Sequence, residues 1–159
     1  MSEVIFGGFL WAPSRKYWKE ILSIIDKKYE LIHTKKYRFE SHADLERVII
    51  KLYEKDTVPI ERIKKIKIKS LKAYDPVCLN FYFRVKLGPF STLVEKGQNK
   101  KDMDKITKDV IKMKRSIRKS YRDYIKNYKR DIILHISDNK LQTSFVDNLV
   151  DNYIKKINN

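Results

Sequence analysis

The period of the apolar positions changes several times along the chain, and each change predicts an element. Over 4–13 (VIFGGFLWAP) the apolar residues are almost continuous and end at a proline, the pattern of a buried strand followed by a stop. Ser14 then stands as the expected N-cap of a helix in which Tyr17, Ile21, Ile25 and Tyr29 recur every four residues, with Trp18 and Leu22 widening the stripe. A second strand is expected over 30–39 (ELIHTKKYRF). Ser41 followed by Asp44 gives a capping-box-like start to a helix carrying Leu45, Val48, Ile49 and Leu52 inward.

The middle of the chain shifts to period two. IKIKSLKAY (66–74) alternates apolar residues with lysine, and Val77, Leu79, Phe81, Phe83, Val85 and Leu87 share one face of a strand, with Asp75-Pro76 as the turn between the two. Such alternation predicts an antiparallel hairpin or sheet edge. Residues 88–103 lack a period, hold two of the four glycines and read as a mobile loop. A long helix follows over 104–127, its core face marked by Ile106, Val110, Met113, Ile117, Tyr121 and Tyr124. The run KRDIILHISDN (129–139) reads as a last strand. Leu141, Phe145, Leu149, Val150, Tyr153 and Ile157 predict a closing helix. Two β-then-α units at the start favour parallel pairing. The expected fold is therefore a single α/β domain over 1–159. It is a sandwich with a central, mostly parallel sheet, an antiparallel hairpin or edge in the middle of the chain, and helices on both faces.

Composition adds charge to this frame. Lys and Arg number 36 against 20 acidic residues, a net charge of +16 that attracts polyanions. Of the 36 basic residues 27 are lysine, and Asn and Ile are abundant too, a bias that an AT-rich genome produces without any partner. The nine arginines are therefore more informative than the total. Cys78 is the single cysteine, which excludes an intrachain disulfide and a cysteine-based zinc site. The start MSEVIFGGFLWAP lacks the basic region of a signal peptide, and no apolar run approaches the roughly 20 residues of a membrane span. A reducing, cytoplasmic setting is the expectation.

Candidate chemistry gathers at the last strand. His135 sits within an apolar run and is followed by Ser137, Asp138 and Asn139, small polar residues at a strand end that leads into a helix start. An antiparallel long helix would lie alongside. A seven-residue strand rises about 23 Å, the length of about 15 helical residues, which brings Arg115 and Arg118 level with 135–138. Arg115, Arg118 and Arg122 share one helix face, and their planar forks suit phosphate oxygens. The expected site is thus His135 and Asp138 as catalytic residues, with Arg115, Arg118, Arg122 and Ser137 binding phosphate. Cofactors are left open, with Asp138 either orienting His135 or holding Mg²⁺; no protein metal site is assigned.

That inventory fits phosphoryl or nucleotidyl transfer, whose catalysis is mainly positioning and charge stabilisation. The leading expectation is a small nucleotidyl-, phospho- or glycosyltransferase acting on a nucleotide or phosphosugar. Two alternatives stand beside it. One is a basic nucleic-acid-binding module, since residues 96–130 carry 14 basic and four acidic side chains. The other is a non-catalytic interaction protein on an α/β scaffold. Each residue also has a plain role: His135 as a hydrogen-bonded strand histidine, Asp138 as a helix cap, Ser137 as turn chemistry and the arginines as a solvated face. His135-Ile136-Ser137 has the His-x-Ser form of the two-histidine phosphodiesterases, but the second copy those enzymes need is missing. Walker, G-x-S-x-G, HExxH and kinase signatures are absent.

Overall fold

The computed structural model describes residues 3–54, 59–86, 96–128, 132–137 and 146–154. Four strands, β1 (Glu3–Trp11), β2 (Glu30–Arg38), β3 (Val77–Lys86) and β4 (Leu134–Ile136), form one sheet in the order β2-β3-β1-β4. Every neighbouring pair is antiparallel. This corrects the expectation of a mostly parallel sheet. Strands β1 and β2 do run in the same direction, each being antiparallel to β3, but β3 lies between them. Each β-helix-β unit is split by an inserted strand, the arrangement of ferredoxin-like folds. Hydrophobic period finds strands; it does not say which strand is inserted where.

Helix α1 (Trp18–Lys28) follows a 3-10 turn, Ala12–Tyr17, and buries Trp18, Ile21 and Ile25. Ser14 lies in that turn and does not cap. It is buried, and its hydroxyl donates to the carbonyls of Trp11 (2.9 Å) and Ile133 (3.1 Å), tying the end of β1 to the start of the last strand. Helix α2 (His42–Tyr53) begins as expected, the Ser41 hydroxyl accepting from the Asp44 N–H at 3.3 Å. The stretch 66–74, half of the expected hairpin, is not a strand: residues 60–71 are helical and 72–74 form a turn. Ile60–Arg62 leads into a π-helical turn, Ile63–Ile68, and on to Lys69–Leu71. The wide turn brings both Lys67 and Ile68 inward, with Leu71 one turn on, so the apparent alternation serves a helix. The other half, β3, is a strand as predicted, and it pairs with β1 and β2.

The long helix spans Lys96–Tyr121, entering the stretch expected as a loop, while 87–95 lie outside the described residues. Val110, Met113 and Ile117 are its buried positions. It meets α1 through Tyr121, whose hydroxyl donates to Glu20 at 3.0 Å. On one face of the sheet Phe6 stacks on Phe83, which Tyr29 covers. On the other, Phe9 stacks on Trp11. Phe6, Phe9, Trp11, Phe81 and Phe83 are all fully buried, so β1 and β3 form the middle of the core.

Gly7-Gly8, in the centre of β1, lets β4 approach. A Cβ on Gly8 would lie 2.2 Å from the His135 carbonyl oxygen. The Ser137 N–H donates to the Gly7 carbonyl at 2.8 Å and its hydroxyl accepts from the Gly7 N–H at 3.1 Å, extending the ladder beyond the three residues of β4. No helix among the described residues is long and apolar enough to cross a membrane.

Candidate functional site

Strand β4 alternates its side chains about the sheet. Leu134 and Ile136 are buried, and His135, paired with Phe9 of β1, points to the face that carries Phe9 and Trp11. There it meets the last residue of α2. The Tyr53 hydroxyl lies 3.3 Å from His135 Nδ1, and the two rings pack edge to face at 5.3 Å. The Lys67 ammonium donates to the same Tyr53 oxygen. Lys67 is only 4% exposed, and its charge also sits over the rings of Tyr53 (4.5 Å) and Trp11 (5.3 Å). An ammonium so far from water is costly unless something solvates it; two aromatic faces and a hydroxyl do so here.

The long helix supplies two more cations from the sheet edge. Lys114 Nζ donates to the Ile136 carbonyl at 3.5 Å and Arg118 Nη2 to the Leu134 carbonyl at 3.1 Å. They bracket His135, and the order of contacts shows the helix running antiparallel to β4. The half-buried imidazole thus faces three positive charges. Burial first, then Lys67, Lys114 and Arg118, hold its pKa well below the usual histidine value, so the ring is neutral at physiological pH. On the same face Trp11 Nε1 and Asn80 Oδ1 are buried with no hydrogen-bond partner among the described residues. The result is a neutral base beside fixed positive charge, with an unpartnered N–H donor on the same face of the sheet.

The expected site residues fall in different places. His135 and Arg118 are together at β4. Arg115 is exposed on the long helix, and Arg122, in a 3-10 turn after it, is exposed and lies 3.9 Å from Asp123. Ser137 is buried and holds the β1–β4 ladder through Gly7. Asp138, the expected partner of His135 or of Mg²⁺, lies outside the described residues. Among the described residues no cluster of three imidazole, thiol or carboxylate groups could hold a metal ion.

Sequence reasoning missed Tyr53, Lys67 and Lys114. Tyr53 continues the α2 stripe, Leu45, Val48, Ile49 and Leu52, and could have been found there. Lys67 carried no signal, because a lysine in an alternating run reads as a wet strand face. Lys114 and Arg118 are four apart, so either both reach β4 or neither does; the arginine-only reading passed over the pair.

Removing the Lys67 charge tests the electrostatics directly. In Lys67→Met, of similar length and without the ammonium, the His135 pKa should rise toward the free value, read by NMR titration of the imidazole resonances. An unchanged titration would mean that the lysine charge does not reach the ring.

No protein-family model matches this sequence, and no curated protein matches it. Solved structures do. A nucleoside diphosphate kinase from Aquifex aeolicus aligns over 96% of this chain and 99% of its own, with a TM-score of 0.51 and 11% identity. One from Borrelia burgdorferi, a transition-state mimic with bound vanadate and ADP, aligns over 96% of this chain and 90% of its own, with a TM-score of 0.52 and 12% identity. A third, from Pyrobaculum aerophilum, aligns over 96% and 99%, with a TM-score of 0.51 and 13% identity. The chain therefore has the fold of nucleoside diphosphate kinases.

Proposed function

We propose that this protein is a nucleotide phosphotransferase in which His135 accepts the phosphoryl group. The observation that carries the reading is the neutral imidazole among Lys67, Lys114 and Arg118, on a fold shared with nucleoside diphosphate kinases. Phosphoryl transfer leaves little for a protein to do beyond aligning the groups and neutralising charge, and the three cations supply the second.

The role of the imidazole follows from the acceptor. A terminal phosphate oxygen of a nucleoside diphosphate is already anionic at neutral pH, so a general base there has no proton to remove. What a neutral ring nitrogen offers is its lone pair. In the first half-reaction the bond between the γ-phosphorus and its bridging oxygen breaks as a nitrogen–phosphorus bond forms, and the nucleoside diphosphate leaves with the bridging oxygen. In the second, an oxygen of another diphosphate attacks the phosphoimidazole and returns the electron pair to the ring. Protonation would remove that lone pair, and the depressed pKa keeps it available. Tyr53 fixes the plane of the ring, and Lys67 polarises Tyr53 while adding charge near the transferring oxygens. Any magnesium would arrive bound to the substrate phosphates and to water, and would offset phosphate charge there.

The test is transfer of the γ-phosphoryl group from radiolabelled ATP to mixed nucleoside diphosphates. The wild-type chain should form labelled triphosphates and, without acceptor, an acid-labile, base-stable phosphoenzyme. Arg118→Ala should lower kcat/KM by about 10²-fold, the scale of one transition-state charge contact. Absence of both transfer and phosphoenzyme in the folded wild-type protein would reject the assignment.

A further inference from the structure

Between α2 and the helical residues 146–154 lies a half-open cavity of about 210 Å³ that the chemistry at His135 does not use. Lys51, in the last turn of α2, and Glu54, its C-cap, line one side; Asn148, Leu149, Asn152 and Tyr153 line the other. Pockets for drug-sized ligands begin at about 300 Å³, so this space suits a molecule smaller than a nucleotide.

Two opposite charges line the cavity without satisfying each other. Lys51 and Glu54 are three residues apart, a spacing that allows an ion pair along a helix. The Lys51 ammonium lies instead over the Tyr153 ring, 5.3 Å from its centre. Neither charge has an ion-pair partner among the described residues. The amides repeat the division. Asn152 Nδ2 donates to Asn148 Oδ1, which leaves the Asn148 amide nitrogen as a donor and the Asn152 amide oxygen as an acceptor. The C-terminal carbonyls of α2 form its negative pole beside Glu54, where a positive group is stabilised. Buried Leu149 and half-buried Tyr153 add apolar surface.

This lining selects by charge. A phosphate-bearing ligand would meet Glu54, and a polyamine would meet Lys51, each as a like charge. A small molecule that carries both charges and an apolar body is complementary to every wall. We propose that the cavity binds a free α-amino acid with an apolar side chain. Its ammonium lies at Glu54 and the Asn152 amide oxygen, its carboxylate at Lys51 and the Asn148 amide nitrogen, and its side chain against Leu149 and Tyr153. The site shares the last turn of α2 with Tyr53, the residue that touches His135, but it does not depend on the reading of the His135 chemistry.

The experiment is isothermal titration of the full chain with leucine, methionine and phenylalanine at neutral pH. N-acetylleucine, which lacks the ammonium, and leucinamide, which lacks the carboxylate, serve as probes of each charge. At least one of the three amino acids should bind, and both derivatives should bind at least tenfold more weakly than leucine, the scale of losing one hydrogen bond to a charged group. Lys51→Met and Glu54→Gln should each weaken binding by a similar factor. Both residues are exposed, so these variants should fold, and Lys27→Met, an exposed lysine on α1, should leave binding unchanged. No binding of any of the three amino acids at millimolar concentration would overturn the proposal. Binding that leucinamide or N-acetylleucine matches, or that survives both cavity variants, would overturn it as well.

Discussion

His135→Gln should abolish phosphoryl transfer, lowering kcat by about 10⁴-fold or more, the range seen when a nucleophile is removed and the binding groups remain. Glutamine keeps a polar side chain of similar reach opposite Tyr53, so the fold should survive and nucleotide affinity should change little. The phosphoenzyme should disappear along with turnover. A variant that still forms a labelled phosphoenzyme would move the covalent step to another residue.

The same substitution has a consequence in acid. Because the folded-state pKa of His135 lies below the unfolded value of 6.5, the unfolded chain takes up a proton on acidification that the folded chain refuses. This contribution to stability is present above pH 6.5 and is lost as the pH falls toward the folded pKa. For a ring that stays neutral when folded, the loss between neutral pH and pH 5.5 is about 1.4 kcal/mol. His135→Gln should remove that part of the pH dependence, measured by urea unfolding at pH 7.5 and 5.5. A variant whose stability falls as steeply as the wild type would show that the ring is not held neutral.

Gly8→Ala should be strongly destabilising for a single added methyl, costing about 3 kcal/mol. The added Cβ would lie 2.2 Å from the His135 carbonyl oxygen and 2.8 Å from Phe81 Cζ. The first contact is backbone in a paired strand and the second a fully buried ring, so neither can give way without parting β1 from β4. For a chain of this size the midpoint should drop by about 6–12 °C. Gly7→Ala is the internal control. Its nearest contact is the Tyr82 side chain at 2.7 Å, which can shift, so its loss should be smaller. Equal losses at the two positions would mean that the close approach of β4 is not what requires glycine. Gly8→Ala should also displace His135 and lose transfer activity beyond its loss of folded protein.

Much of the fold was legible in local pattern. Strand β1, helix α1, the Ser41-capped α2 and β3 all follow from apolar period and turn residues, because each buries one face against the same core. What the pattern could not carry was strand order. Insertion of β3 between β1 and β2 depends on contacts more distant than any window of periodicity, and β4 is too short for its neighbours to be read from its own residues. The helical 60–71 segment was misread for a related reason. Its inward lysine is tolerated only because Trp11 and Tyr53 enclose it, and nothing local to Lys67 announces them. At the site, His135 stood out because a histidine in an apolar run needs an explanation. The electrostatic frame around it comes from α2, the π-helical turn and the long helix, three elements that meet only in the folded molecule.

The centre of the sheet is joined by residues far apart in the chain. Asn80 Nδ2 donates to the Gly8 carbonyl 72 positions away, and Gly7 bonds to Ser137 across 130. During synthesis both edges of β1 stay open until β3 emerges, and the edge that takes β4 stays open until the chain has grown past Ser137. Such distant pairings close late and slowly. The imidazole and its cations are therefore brought together late in folding, and a chain that stops before β4 has neither a finished core nor the cluster around His135.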